Sequence, residues 1–295
     1  MTKFAFKGSC VALITPFKNN KLDEEALENL IKFQLDNKTD AILVLGTTGE
    51  PATMSHQEKL KVMSIAKKVI GNKAQLIIGT GANSTEQAIK NSLEAKSMGA
   101  DALLVVTPYY NKCTQNGLIE HYRAIAKAVN MPIIAYNVPG RTGVNILPET
   151  AVKLSEIPEI VGIKEAGGNI SQIIPLCKAL RGKMAVYSGD DSLNYTFMTL
   201  GALGAISVTA NVLPKEVKEV IDLCMQNDYA TALEKHEKLL EINKNLFVEV
   251  NPIPVKYCAE LLKLCYADVR LPLTVLENKN RALVESSLKN LGVKF

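Results

Sequence analysis

The stretch Ile160-Val161-Gly162-Ile163-Lys164-Glu165-Ala166-Gly167-Gly168-Asn169 reads as an apolar strand that ends on a lysine and breaks into a glycine-rich turn. Side chains alternate along a strand, so Ile160, Gly162 and Lys164 are expected on one face and Val161 and Ile163 on the other. Gly162 leaves the face below the lysine nearly empty. An ammonium whose stem lies in an apolar cavity loses hydration, which lowers its pKa and makes the neutral, nucleophilic amine accessible. Lys164 is therefore a Schiff-base candidate. The plainer alternative is a strand-end charge reaching solvent, the usual fate of lysine.

Further apolar, β-rich runs lie on either side of this one: Cys10 to Thr15, Ala41 to Gly46, Gln75 to Gly79, Ala102 to Thr107, Pro132 to Tyr136, Met184 to Ser188 and Ala205 to Val208. Ala41-Ile-Leu-Val-Leu45 and Leu103-Leu-Val-Val106 are apolar on both faces, as parallel strands between an outer helical layer and a packed interior must be. Amphipathic segments alternate with the runs: Asp23 to Asp36, Ser55 to Ile70 with Ser55 and Glu58 spaced as a capping box, and Ser84 to Met98. Eight βα repeats without a GxGxxG turn fit an α/β fold of the (β/α)8 TIM-barrel type better than an open doubly wound sheet. After Val208 the pattern is helical: Lys215 to Gln226, Asp228 to Asn245, Val255 to Leu264 and Leu273 to Leu291. This predicts a barrel domain over residues 1–227 and a carboxy-terminal helical domain over 228–295.

Composition narrows the chemistry. The 295 residues are 47% hydrophobic and 22% charged, enough for a large core. No apolar run approaches the ~20 residues that span a bilayer, and Met1 to Lys7 carries no signal-peptide hydrophobic region, so a cytoplasmic protein away from membranes is expected. The six cysteines form no CxxC pair and the three histidines no HExxH-type spacing, which argues against a metal site and a disulfide framework. The net charge of +4 is spread along polar helix faces, as in Glu234-Lys235-His236-Glu237-Lys238, and does not predict a nucleic-acid partner.

In such a barrel the reactive groups follow the strands. Strand 2 runs into Gly46-Thr47-Thr48-Gly49-Glu50, whose hydroxyls and N–H groups suit a small carboxylate or a proton relay, or make a plain solvated turn. Strand 4 runs into Thr107-Pro108-Tyr109-Tyr110-Asn111, and strand 5 into Tyr136-Asn137-Val138-Pro139-Gly140-Arg141-Thr142-Gly143. A phenol donates and accepts protons, as imine formation requires, although a lone tyrosine is more often a packing residue. Arg141, one of five arginines, offers a guanidinium fork to a carboxylate or is a surface charge. In Ser188-Gly189-Asp190-Asp191 the two acids read as a helix cap in preference to a magnesium site.

In this order, Gly46-Thr-Thr-Gly-Glu50, Thr107-Pro-Tyr-Tyr-Asn111, Tyr136-Asn-Val-Pro-Gly-Arg-Thr-Gly143, Gly162-Ile-Lys-Glu165 and Ser188-Gly-Asp-Asp191 resemble the dihydrodipicolinate synthase family of pyruvate-dependent class I aldolases, whose superfamily includes N-acetylneuraminate lyase. The resemblance covers essentially the whole chain. It implies condensation of pyruvate with L-aspartate 4-semialdehyde to 4-hydroxy-tetrahydrodipicolinate, a step toward lysine and diaminopimelate. No cofactor is implied beyond the covalent imine between pyruvate and Lys164. By the same resemblance Tyr136, Thr47 and Tyr110 form a proton relay, with Tyr110 reaching into a neighbouring subunit's site. Thr47 and Thr48 hold the pyruvate carboxylate, Arg141 the semialdehyde carboxylate, and Gly189 and Ile206 contribute backbone groups. The assembly implied is a homotetramer of two tight dimers, with a dimer as the alternative.

The family's lysine-binding cleft would correspond to Pro51, Ala52, His56, Lys59, Asn83, Gln87 and Tyr109. Lysine-sensitive members carry a histidine where Lys59 stands and a glutamate where Gln87 stands, so feedback by lysine is expected to be weak or absent here. Two other functions compete. A retro-aldol lyase acting on a sugar acid would lack Arg141, and a catalytically silent binding barrel would have no use for Lys164, Tyr136, Thr47, Tyr110 and Arg141 together.

Overall fold

Eight parallel strands close on themselves, each burying one set of side chains against the barrel axis and the other against a ring of helices. The computed structural model describes residues 5–295, so the expectation made for Met1 to Lys7 falls in part, at Met1 to Phe4, outside the described residues. The strands are β1 (Gly8–Ala12), β2 (Ala41–Val44), β3 (Gln75–Gly79), β4 (Ala102–Val106), β5 (Ile133–Asn137), β6 (Ile160–Glu165), β7 (Ala185–Ser188) and β8 (Gly204–Ser207), and β8 pairs with β1 to complete the barrel. A hairpin of Phe17–Lys18 and Lys21–Leu22 lies outside it.

The alternation is visible in the two cores. Cys10, Ala12, Ala41, Leu43, Ile77, Leu104, Ile134 and Ile206 pack along the axis. Val11, Ile42, Val44, Ile78, Val105 and Ile163 pack outward against helices such as α1 (Glu24–Asp36), α2 (His56–Ile70) and α3 (Thr85–Ser97). These helices begin where the sequence marks them: Asp23, Ser55 and Ser84 cap them, and Ser55 and Glu58 form the complete capping box.

Three expectations about boundaries and faces need correction. Strand β1 stops at Ala12 because the Asn211 side chain takes over from the ladder, donating to the Ala12 carbonyl at 2.8 Å and accepting from the Ile14 N–H at 2.9 Å. The helix expected from Leu273 begins at Asn278, since the Glu249 carboxylate accepts from the Glu277 N–H at 3.0 Å and from Asn280 at 2.7 Å, setting the start from outside the segment. In β6 the register slips, pairing Ile133 with Ile160 but Ile134 with Gly162. The extra residue turns Ile160 into the outer core beside Ile163, while Gly162 and Lys164 keep the axial face.

After α4 (Pro214–Met225), the eighth helix of the barrel ring, the chain turns through Asn227 at φ 64° and adds α5 (Tyr229–Asn245), α6 (Ile253–Leu261) and α7 (Asn278–Asn290). This segment is tied to the loop after β2. Lys256, 0% exposed, sets its ammonium 2.5 Å from Glu50 Oε1, donates to the Asp268 carbonyl at 2.7 Å and lies 4.3 Å from the centre of the Phe17 ring. Burial pushes its pKa down, and the Glu50 carboxylate works against that. Arg270 covers Phe17 as well, at 4.1 Å, and forks onto Glu58 at 2.9 and 2.5 Å. Lys256→Met would strand the Glu50 carboxylate in the interior and is expected to cost about 3–5 kcal/mol in urea unfolding, whereas the double variant Lys256→Met/Glu50→Gln recovers most of it. A double variant no more stable than the single would refute this account of the pair.

Candidate active site

Lys164 is 5% exposed and lies in register between Tyr136 on β5 and Tyr187 on β7. Its amine sits 4.5 Å from the centre of the Tyr136 ring, over the π face. A Cβ at Gly189 would fall 2.9 Å from Lys164 Cε and 2.8 Å from Ala166 Cβ, so a side chain there would collide with the lysine stem. The Gly189 N–H is committed to the Glu165 carbonyl at 2.8 Å, which holds the two strand ends together. Cys10, fully buried on the same axial face, is kept as a thiol because desolvation raises its pKa. Lys164 thus meets neutral groups: two phenols, a glycine and a thiol.

The space at Gly162 is not empty. A Cβ on Gly162 would lie 2.8 Å from Tyr187 Cε2, so the glycine admits the Tyr187 ring and leaves no vacancy beneath the lysine. Tyr187 stacks on Phe6 with centroids 4.3 Å apart, donates its hydroxyl to the Phe6 carbonyl at 2.7 Å and accepts from the Phe6 N–H at 3.3 Å. Burial raises its pKa. Of the two phenols flanking Lys164, Tyr187 is committed to the backbone, and Tyr136 is the one with a hydroxyl left for chemistry.

Glu165 points to the opposite face of β6 and fixes the turn that follows. Its Oε2 accepts from Asn137 Nδ2 at 2.8 Å and its Oε1 from the Gly167 N–H at 2.5 Å. Burial pushes this carboxyl upward, partly offset by those bonds. Asn137 also donates to Asn145 at 2.8 Å, so the ends of β5 and β6 share one hydrogen-bond network.

Thr47 and Thr48 open a short 3-10 turn, Thr47–Gly49, whose shape is held from two sides. The Thr15 hydroxyl donates to the Gly49 carbonyl at 2.7 Å, and Glu50 takes a left-handed conformation, φ 53°, with its carboxylate on Lys256. Thr48 is buried and its hydroxyl accepts from Asn251 Nδ2 at 2.9 Å. Arg141, on the one-turn helix Pro139–Thr142, donates to the Asn251 carbonyl at 3.1 Å. Ile206 is buried on the axial face of β8, in register with Cys10. Tyr110 stands apart from this group: it is 91% exposed with a left-handed backbone, φ 72°, a conformation costing about 1–2 kcal/mol for a residue with a Cβ.

The structure therefore joins Lys164, Tyr136 and Gly189 by contact, and Thr48 to Arg141 through Asn251, and leaves Tyr110 outside. Asn251, Tyr187 and Lys256 carry no signal of their own in the sequence, and Glu50 shows only as the last residue of the Gly46–Glu50 motif. Asp190 is the cap expected of it, accepting from the Ser192 N–H at 3.0 Å. Asp191 does more: it accepts from the Val208 and Thr209 N–H groups at 2.8 and 3.0 Å and from Asn194, bridging β7 to the loop after β8. Among the described residues no group of three His, Cys, Asp or Glu side chains converges to hold a metal.

A family model described as the dihydrodipicolinate synthetase family matches residues 5–291. The 4-hydroxy-tetrahydrodipicolinate synthase of Geotalea uraniireducens is 47% identical over 288 residues, covering 98% of this chain and 99% of that protein. The crystal structure of the chloride-inhibited dihydrodipicolinate synthase from Acinetobacter baumannii, complexed with pyruvate, superposes with a TM-score of 0.95 at 46% identity, covering 97% of this chain and 99% of that one. Dihydrodipicolinate synthase from Aquifex aeolicus does so with a TM-score of 0.95 at 47% identity, covering 98% and 99%. With a closed barrel, a buried strand-end lysine and full-length matches of this strength, the chain belongs to the dihydrodipicolinate synthetase family.

Proposed function

We propose that this enzyme condenses pyruvate with L-aspartate 4-semialdehyde through an imine on Lys164, giving 4-hydroxy-tetrahydrodipicolinate without any cofactor. The observation that carries the reading is a lysine buried at the carboxy end of β6 among neutral groups. A lysine amine is the nucleophile of imine formation, and the Tyr136 ring beside it brings a phenol able to move protons. Lys164 attacks the pyruvate carbonyl and water leaves as the imine forms. Loss of a proton from the methyl carbon gives the enamine, which adds to the aldehyde. The amine of the adduct then displaces Lys164 as the ring closes. Tyr136, Thr47 and Tyr110 relay the protons, Thr47 and Thr48 hold the pyruvate carboxylate, Arg141 holds the second carboxylate, and Gly189 and Ile206 line the site with backbone groups.

Residues 1–227 are read as the catalytic barrel and 228–295 as the helical domain that buttresses it. Tyr110, outward and in a strained backbone conformation, supports a site completed by a neighbouring chain in a homotetramer or dimer. A cytoplasmic location is proposed as well; among the described residues no helix is long and apolar enough to cross a membrane.

Borohydride reduction in the presence of pyruvate is expected to add one pyruvate-derived mass at Lys164; an unmodified Lys164 by mass spectrometry refutes the imine. Mixing Lys164→Ala with Tyr110→Phe chains under subunit exchange should restore activity that neither variant has alone, because mixed pairs contain one site with both native residues, and no recovery would place Tyr110 outside the neighbour's site. At the feedback cleft, Gln87 is engaged with Asn91 at 2.7 Å and His56 with Glu94 at 3.3 Å. With Lys59 adding a positive charge, L-lysine is expected not to inhibit in the micromolar range in steady-state assays.

A further inference from the structure

We infer that Asn251 is a positioning residue for the reaction, orienting the Thr48 hydroxyl toward pyruvate with its side chain while its main chain seats Arg141. This rests on the roles proposed above for Thr48 and Arg141. Asn251 comes from the carboxy-terminal segment, 203 residues from Thr48 in the chain, and its side-chain amide donates to the Thr48 hydroxyl at 2.9 Å. A hydroxyl has one proton to give and two lone pairs. With a lone pair occupied by Asn251 Nδ2, the Thr48 O–H is turned away from the amide and is free to donate to a carboxylate. On the other side, the Asn251 carbonyl accepts from Arg141 NH2 at 3.1 Å, so one residue touches the group assigned to each substrate's carboxylate.

Two further features favour this role over simple packing. Asn251 is 5% exposed, and its Oδ1 is a buried acceptor with no partner among the described residues. An apolar side chain would avoid that cost, so stability alone does not account for the amide. The segment is also rigidly seated: Lys256, five positions on, is locked to Glu50, which immediately follows the Thr47–Gly49 turn. The donor and the hydroxyl it orients are thus held by one buried ion pair.

Because Arg141 is held by a main-chain carbonyl, a side-chain substitution separates the two functions. Asn251→Ala is expected to raise the KM for pyruvate roughly tenfold while the KM for the semialdehyde stays within about twofold. In a Thr48→Val background the same change should add less than about twofold, since the hydroxyl it acts through is gone. Asn251→Asp, nearly isosteric, keeps the fold if Ala does not. A carboxylate only accepts, so it draws the Thr48 proton to itself, and its pyruvate KM should rise further than that of Asn251→Ala. Wild-type pyruvate KM in both variants, equal rises in both KM values, or full multiplicative effects in the double variant would overturn the inference while leaving the Lys164 reading intact. Absence of pyruvate trapping at Lys164 in the wild type overturns both.

Discussion

Two lysines are buried among the described residues, and the contrast between them organises the molecule. Lys256 has its charge matched by Glu50 at 2.5 Å and capped by a carbonyl, in the arrangement a buried ammonium needs to remain an ammonium. Lys164 is given phenols, a glycine and a thiol, and none of these is a counter-ion at neutral pH. The first lysine is structural and fixes the loop after β2. The second is kept without such a partner, over the Tyr136 ring. Because Glu50 directly follows the Thr47–Gly49 turn, the structural pair holds the end of the turn that carries Thr47 and Thr48.

The carboxy-terminal helices therefore belong to the site as well as to the fold. Lys256, Arg270 and Asn251 all come from beyond the barrel, and between them they grip Phe17, Glu50, Glu58, Thr48 and Arg141. A (β/α)8 barrel places its reactive groups on loops at one end, and loops need external support to hold a geometry. Here that support is ionic around Phe17, then neutral and directional at Asn251, which bonds both Thr48 and Arg141.

Much of this architecture is legible in the amino-acid sequence. The eight apolar runs, the capping box at Ser55 and the lysine after Ile163 are local patterns whose physics lies in a few neighbouring residues, and all of them appear where expected. Sequence and structure part where a distant residue intervenes. Asn211 ends β1 early and Glu249 delays the last helix, each by supplying a hydrogen-bond partner from outside the segment. Gly162 looks like a vacancy in its own strand because nothing local reveals that Tyr187, backed by Phe6, fills the space. Asn251 is unremarkable in its own segment because both of its partners lie more than a hundred positions away.

What the sequence determined by itself is the set of strands and helices, the closed α/β architecture and the strand-end lysine proposed as nucleophile, since hydrophobic period and motif order depend on residues close together in the chain. What only the tertiary structure decided is which groups surround that nucleophile: the bulge at Val161 that turns Ile160 outward, Tyr187 beneath the lysine, Tyr136 left available, and Asn251 between Thr48 and Arg141. Those relations depend on barrel closure, which brings together strand ends and a carboxy-terminal segment with no local pattern in common.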